Sequence, residues 1–228
     1  PTTLAFVQLT NGQASYLFYD ENSAGRMIAF EDMPHQFDAV KAFLFGGISL
    51  HCNPGAETYV QFAETHAHSS VVMVDPNIRT SFISNEMLFR EHMERIFRLA
   101  DIVKVSDEDL NWLFPEPETV EKKINRLREF GPALVILTQG EAGVTAWKPE
   151  GNPIFVESLK VDVVDTVGAG DSFNAGFLTS LTKAGHLNKA DIRLILENDI
   201  VAALDYGVRA AAVTVGRAGA NPPWKDEL

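Results

Sequence analysis

Cysteine is nearly absent from this 228-residue chain. Cys52 stands alone, so no internal disulfide can form and nothing points to an oxidising compartment. A single thiol is read as a buried or incidental residue in preference to a nucleophile. Positive charge is scarce as well, with 19 Lys and Arg against 31 Asp and Glu for a net charge of −12. Such a surface repels phosphodiester backbones and anionic lipid, which argues against nucleic acid and membrane as partners. No apolar run approaches the ~18 residues that span a bilayer. There is no Asn-x-Ser/Thr sequon and no low-complexity tract, and the balance of these absences points to a cytoplasmic home. An initiator methionine is also lacking. Pro1-Thr2-Thr3 runs straight into an apolar segment, which reads as a chain whose first part is missing. The last four residues, Lys225-Asp226-Glu227-Leu228, spell an endoplasmic-reticulum retention address; with no visible signal peptide they read as a chance acidic ending.

What is present is ordinary globular material, 46% hydrophobic and 10% aromatic, enough for one domain over residues 1–228 whose core needs no cross-links. Residues 4–9 and 15–19 alternate in polarity around Asn11-Gly12, predicting a β-hairpin within residues 1–30 that sits apart as a small lid. From residue 42 the pattern changes. Short apolar runs at 42–45, 71–75, 101–105 and 133–137 predict strands buried on both faces. Helical spacing covers 55–67, 86–99, 107–113, 119–130, 171–183 and 189–211, and shorter strands are expected at 144–147, 154–156 and 161–164. Strands alternating with helices imply a mostly parallel sheet covered on both sides, with ligands beyond its carboxyl ends.

The densest chemical signal is Asp165-Thr166-Val167-Gly168-Ala169-Gly170-Asp171-Ser172-Phe173-Asn174-Ala175-Gly176, placed between an expected strand and a helix. Gly168 and Gly170 allow successive N–H groups to converge, and a helix N-terminus adds partial positive charge, so the segment suits a phosphate or a developing negative charge. No Gly-Lys-Ser/Thr tripeptide occurs, and Phe173 stands where a dinucleotide fingerprint needs its third glycine. An anion hole with a carboxylate inside it remains, in which Asp171 could take a hydroxyl proton while the amides hold phosphoryl charge. Spacing alone leaves a second reading open, in which Asp171 is a helix cap and Gly-Ala-Gly a tight turn.

These residues closely resemble the signature of the ribokinase-like, or phosphofructokinase-B, carbohydrate kinases. Asp75-Pro76-Asn77-Ile78-Arg79 is similar to that family's Asp-x-Asn-x-Arg element, and residues 137–143 and 211–220 resemble its nucleotide loop and C-terminal segment. Within the family, Phe45-Gly46-Gly47-Ile48-Ser49-Leu50, Asn22-Ser23-Ala24 and Gly219-Ala220-Asn221-Pro222-Pro223 look most like fructokinases.

The resemblance implies a three-layer α/β/α fold with a small β lid, and transfer of the ATP γ-phosphoryl group to a sugar hydroxyl with Mg²⁺. It makes Asp171 the base and the amides of Gly168, Ala169, Gly170 and Asp171 the anion hole. Asp75, Asn77 and Arg79 become substrate-side residues, though Asp, Pro and Asn also make plain turns. Lys104, Ser106, Thr138, Gly140, Gly143 and Val208 become the nucleotide side, where the glycines by themselves would equally suit a hairpin turn. Asp165 would support a monovalent cation such as K⁺, and lids of this family often pair, implying a homodimer. One departure stands out: the family's Asn-x-x-Glu is here Ser106-Asp107-Glu108-Asp109. Asp109 keeps a carboxylate for Mg²⁺ through water on a shorter arm, while Ser106 with Asp109 is also nearly a capping box. His66 and His68 are read as surface residues. The rival enzyme is a 2-keto-3-deoxygluconate kinase; a nucleotide-binding but silent chain is the alternative of another class.

Overall fold

A computed structural model describes every residue except 11, 12, 35, 36 and 38, and the backbone alone of 7–10 and 13–16. The chain separates into two compact units, residues 1–100 and 101–228.

The first unit opens with β1 (Leu4–Thr10) and β2 (Gln13–Tyr19), an antiparallel pair in register from Leu4 opposite Tyr19 to Thr10 opposite Gln13. The expected Asn11-Gly12 turn lies outside the described residues. Next come β3 (Ala42–Gly46), α1 (Gly55–His66), β4 (Val71–Asp75) and α2 (Glu86–Phe97). β3 and β4 are parallel, Gly46 facing Asp75, with α1 as the crossover. All five residues of β4 are buried, as its unbroken apolar run demands. Asn85 caps α2 by accepting from Leu88 N–H at 3.1 Å.

α1 and α2 pack together, and Val60 and Ala63 on the first and Met93 and Ile96 on the second are buried. Arg95 pins the pair from outside, holding Glu57 through two bonds of 2.7 and 3.0 Å and Glu64 at 2.9 Å. Gly55 N–H donates to Arg26 O and Thr58 Oγ1 to Ile28 O, both at 3.0 Å, which ties the segment leaving the hairpin to α1. His66 belongs to an aromatic cluster with Phe37, Phe43 and Phe62, so only His68 is the exposed residue that the sequence suggested for both.

The second unit contains β5 (Ile102–Ser106), α3 (Asp107–Leu113), α4 (Val120–Arg128), β6 (Leu134–Thr138), β7 (Val144–Trp147), β8 (Ile154–Val156), α5 (Ala169–Lys183) and α6 (Glu197–Val215). β5 and β6 are parallel, while β7 and β8 continue the ladder antiparallel. α5 lies closely along α6. A Cβ on Gly176 would sit 2.9 Å from Tyr206 O, and one on Gly207 2.8 Å from the Phe173 ring, so both helices need glycine where they touch.

Two expected elements differ. Residues 161–164 are not a strand: Val161, Val163 and Val164 are exposed, and Val164 and Asp165 N–H both donate to Val215 O. The segment's end closes off α6, and no described strand takes up its β-branched alternation. The final helix begins at Glu197, later than the apolar spacing from 189 implies. Asn188 Oδ1 accepts from Ala190 and Asp191 N–H, closing a turn instead, and Leu196 is extended. Among the described residues no helix is long and apolar enough to cross a membrane.

Candidate active site

The turn into α5 is set by Gly168, which adopts a left-handed conformation (φ 79°) and is the helix N-cap. Ala169 N–H donates to Thr166 O at 3.3 Å, and the helical ladder begins with Ser172 N–H to Gly168 O at 2.9 Å. The N–H groups of Gly170 and Asp171 therefore belong to the first turn, where a helix has no internal acceptor to offer. Asp171 is not the cap, as the simpler sequence reading had it. It is the third helical residue, exposed, and its charge meets the positive end of the helix dipole.

Asp165 braces this turn. Its Oδ1 accepts from Val167 N–H at 3.0 Å and its Oδ2 from Gly219 N–H at 2.9 Å. The amides of Val167 and then Gly219 hold its carboxyl below the ordinary range. Gly168 packs so closely on the same C-terminal loop that a Cβ there would meet Ala220 Cβ at 3.1 Å. Beneath the turn, buried Thr214 on α6 shares a hydrogen bond of 2.7 Å with Ser172 Oγ and reaches Ala210 O at 3.1 Å. The sequence reading missed this hydroxyl pair, although a Thr near the end of an apolar helix was a visible signal.

The nucleotide-side candidates gather at the carboxyl ends of β5 and β6, where Ser106 and Thr138 are register partners. Lys104 is buried in β5. Ser106 and Asp109 form a complete capping box: Ser106 Oγ accepts from Asp109 N–H at 3.0 Å, while Asp109 Oδ2 accepts from Ser106 N–H at 3.0 Å and from Oγ at 2.8 Å. The 139–143 loop is closed by Gln139 N–H to Gly143 O at 2.9 Å. Gly143 (φ 110°) touches β8 so closely that a Cβ would stand 2.4 Å from Val156 O, whereas a Cβ on Gly140 would meet nothing within 4 Å. Gly140 thus borders open space. Val208 stands apart from this group, buried in α6.

In the first unit, Asp75 ends β4 buried, Asn77 takes a left-handed conformation (φ 40°) and Arg79 is exposed. A Cβ on Gly47 would lie 1.8 Å from Pro76 O, so this loop and the one following β3 are in backbone contact that only glycine permits.

A fructokinase of Rhizobium leguminosarum bv. trifolii is 44% identical over 195 residues, which is 84% of this chain and 58% of that protein. A probable chloroplastic fructokinase of Arabidopsis thaliana is 33% identical over 237 residues, 100% of this chain and 59% of the relative. The chain therefore spans under three fifths of the length of these two curated relatives. A fructokinase with bound ATP from Xylella fastidiosa superposes with a TM-score of 0.86 at 25% identity, covering 96% of this chain and 69% of that one. The shared architecture is the ribokinase-like three-layer α/β/α fold with its mostly parallel sheet. Residues 1–227 match as pfkB family carbohydrate kinase, and the chain belongs to that family.

Proposed function

We propose that this chain carries the phosphoryl-transfer machinery of an ATP-dependent fructokinase. The observation that carries the reading is the Gly168 turn: a left-handed glycine presents first-turn amides beside Asp171, in a loop clamped by Asp165. Amides so placed stabilise charge on a transferring phosphoryl group, and Asp171 accepts the proton of the attacking hydroxyl. Lys104, Ser106, Thr138, Gly140 and Gly143 form the nucleotide side at the strand ends, and Val208 of α6 is assigned to the same side by the family resemblance. Asp75, Asn77 and Arg79 are assigned to the acceptor. The 44%-identical relative named fructokinase supports this choice of sugar.

Asp109, whose Oδ2 already accepts from Ser106 N–H and Oγ, would act through water as an outer partner of Mg²⁺ held chiefly by phosphate oxygens, and the ion would neutralise phosphate charge there. Asp165 gives both oxygens to backbone amides, so it would serve a monovalent cation by fixing the loop carbonyls around it. The hairpin exposes Leu4, Phe6, Leu17 and Tyr19, a face suited to pairing two lids in a homodimer.

The test is phosphorylation of fructose and of 2-keto-3-deoxygluconate with ATP, in the wild type and in Asp171→Asn. Fructose turnover that falls about 10²- to 10⁴-fold in the variant, with binding of an ATP analogue retained, is expected. Undiminished turnover in Asp171→Asn removes the assigned base, and preferential use of the sugar acid removes the assigned acceptor.

A further inference from the structure

Beside the hairpin lies a cavity of about 400 Å³ lined by residues of the first unit alone, among them Phe18, Asp20, Glu21, Arg26, His51 and Phe82. Its position is that of a ligand site in a parallel α/β fold, beyond the strand ends. His51 follows the single 3₁₀ turn Gly47–Leu50 after β3, and Phe82 closes the turn Thr80–Phe82 after Arg79. Phe18 and Phe82 meet edge to face with ring centres 4.0 Å apart, giving an apolar wall.

The polar groups are aimed with care. Asp20 Oδ1 is occupied within the hairpin, accepting from Thr3 Oγ1 and from Ser23 Oγ at 2.6 Å. Its Oδ2 faces His51 Nε2 at 3.9 Å. His51 Nδ1 is engaged with Ile48 O, a carbonyl that can only accept, so Nδ1 carries the proton and Nε2 is turned toward the carboxylate. A gap of 3.9 Å is too long for a direct bond. With Nδ1 carrying the proton, Nε2 and Asp20 Oδ2 are both acceptors, so neighbouring hydroxyls of a polyol can each donate to one of them. Burial works to raise the Asp20 carboxyl, but the Ser23 and Thr3 hydroxyls, with His51 and Arg26, bring it below its ordinary value. An ionised Asp20 with Glu21 beside it repels a second carboxylate, and the cation facing them, Arg26, is shared with Asp20.

We propose that the Asp20–His51 gap is a hydroxyl-reading subsite that selects an uncharged, polyhydroxylated acceptor and turns away acceptors bearing a carboxylate. The inference rests on the kinase reading and names two determinants of its specificity. Asp20→Asn is the informative change, because its carbonyl oxygen keeps the Thr3 and Ser23 bonds while an amide NH₂ replaces Oδ2.

The experiment is calorimetric titration of fructose, other neutral sugars and gluconate into the wild-type chain and Asp20→Asn, each saturated with a non-hydrolysable ATP analogue. Thermal melting and affinity for the analogue serve as controls on folding. The expected result is neutral-sugar binding weakened about tenfold or more by Asp20→Asn and gluconate binding strengthened, with melting still a single cooperative transition and affinity for the analogue unchanged. If fructose binds wild type and variant equally, the subsite is refuted while the fructokinase reading survives. If a different neutral sugar binds in an Asp20-dependent way, the subsite stands and the choice of fructose falls. If none of the panel binds the wild type, both are overturned.

Discussion

Replacing Thr214 by valine keeps the shape of the side chain and removes one hydroxyl from beneath the Gly168 turn. That hydroxyl joins Ser172 Oγ at 2.7 Å and Ala210 O at 3.1 Å, and the Thr214 side chain has no solvent exposure. Ala210 O keeps its helical partner, so the main loss is at Ser172, whose own hydroxyl becomes a buried polar group short of a partner. Such a loss costs about 1–3 kcal/mol. For a chain of this size ~2 kcal/mol corresponds to a fall in melting temperature of about 4–8 °C. Removing both hydroxyls is a different perturbation, because no orphan remains. Ser172→Ala with Thr214→Val is therefore expected to cost at least ~1 kcal/mol less than the sum of the single changes. Urea unfolding followed by circular dichroism measures all three variants, and Thr214→Ser is expected to restore most of the loss. Since Ser172 follows Asp171 directly, fructose turnover is expected to fall in Thr214→Val and recover in Thr214→Ser. Strict additivity of the two single changes would refute the idea that the hydroxyls act as a pair.

Further expectations rest on other contacts. Gly143→Ala places a Cβ 2.4 Å from Val156 O on a backbone of φ 110°, so at least ~1–3 kcal/mol of stability and tight binding of an ATP analogue should both be lost, read by melting and titration. Gly207→Ala drives a Cβ to 2.8 Å from the Phe173 ring; the overpacking, ~1–3 kcal/mol, exceeds the ~1 kcal/mol gained in helix propensity, so a lower melting point is expected. The Arg95 hydrogen bonds hold the Glu57 carboxyl below its ordinary value. A depressed carboxyl contributes stability that is present above the unfolded-state pKa, roughly 4.3, and lost as pH falls through the folded one. Glu57→Gln should therefore cost about 0.5–1 kcal/mol at pH 7, a screened value for a partly exposed pair, and the difference should close in unfolding curves taken below pH 4.

Much of the fold was legible because burial on both faces leaves an unmistakable pattern. The runs that became β4, β5 and β6 admit no other reading, and α3 fell at 107–113 as its capping residues indicate. Local pattern failed where distant chain decides the outcome. Residues 161–164 alternate like a strand, yet their end is drawn to Val215 O, a partner some fifty positions away that no local window contains. Leu196 looks like part of a helical stripe, but Asn188 closes a turn upstream and the helix begins only at Glu197. The site shows the same division. Gly168 and Asp171 could be named from their motif, while the identity of the cap depended on the actual dihedrals. Thr214, by contrast, could not be connected with Ser172 until α5 and α6 were seen side by side.

The two bonds of Asp165 have a topological consequence. By holding Val167 with one oxygen and Gly219 with the other, it closes a circuit of chain that contains both α5 and α6. The knot of that circuit lies at the Gly168 turn. Proteolytic nicking just beyond Gly216 would leave every first-turn amide and Asp171 in the sequence, yet release the thread that tightens the knot. The socket would then slacken without losing any of the groups that line it.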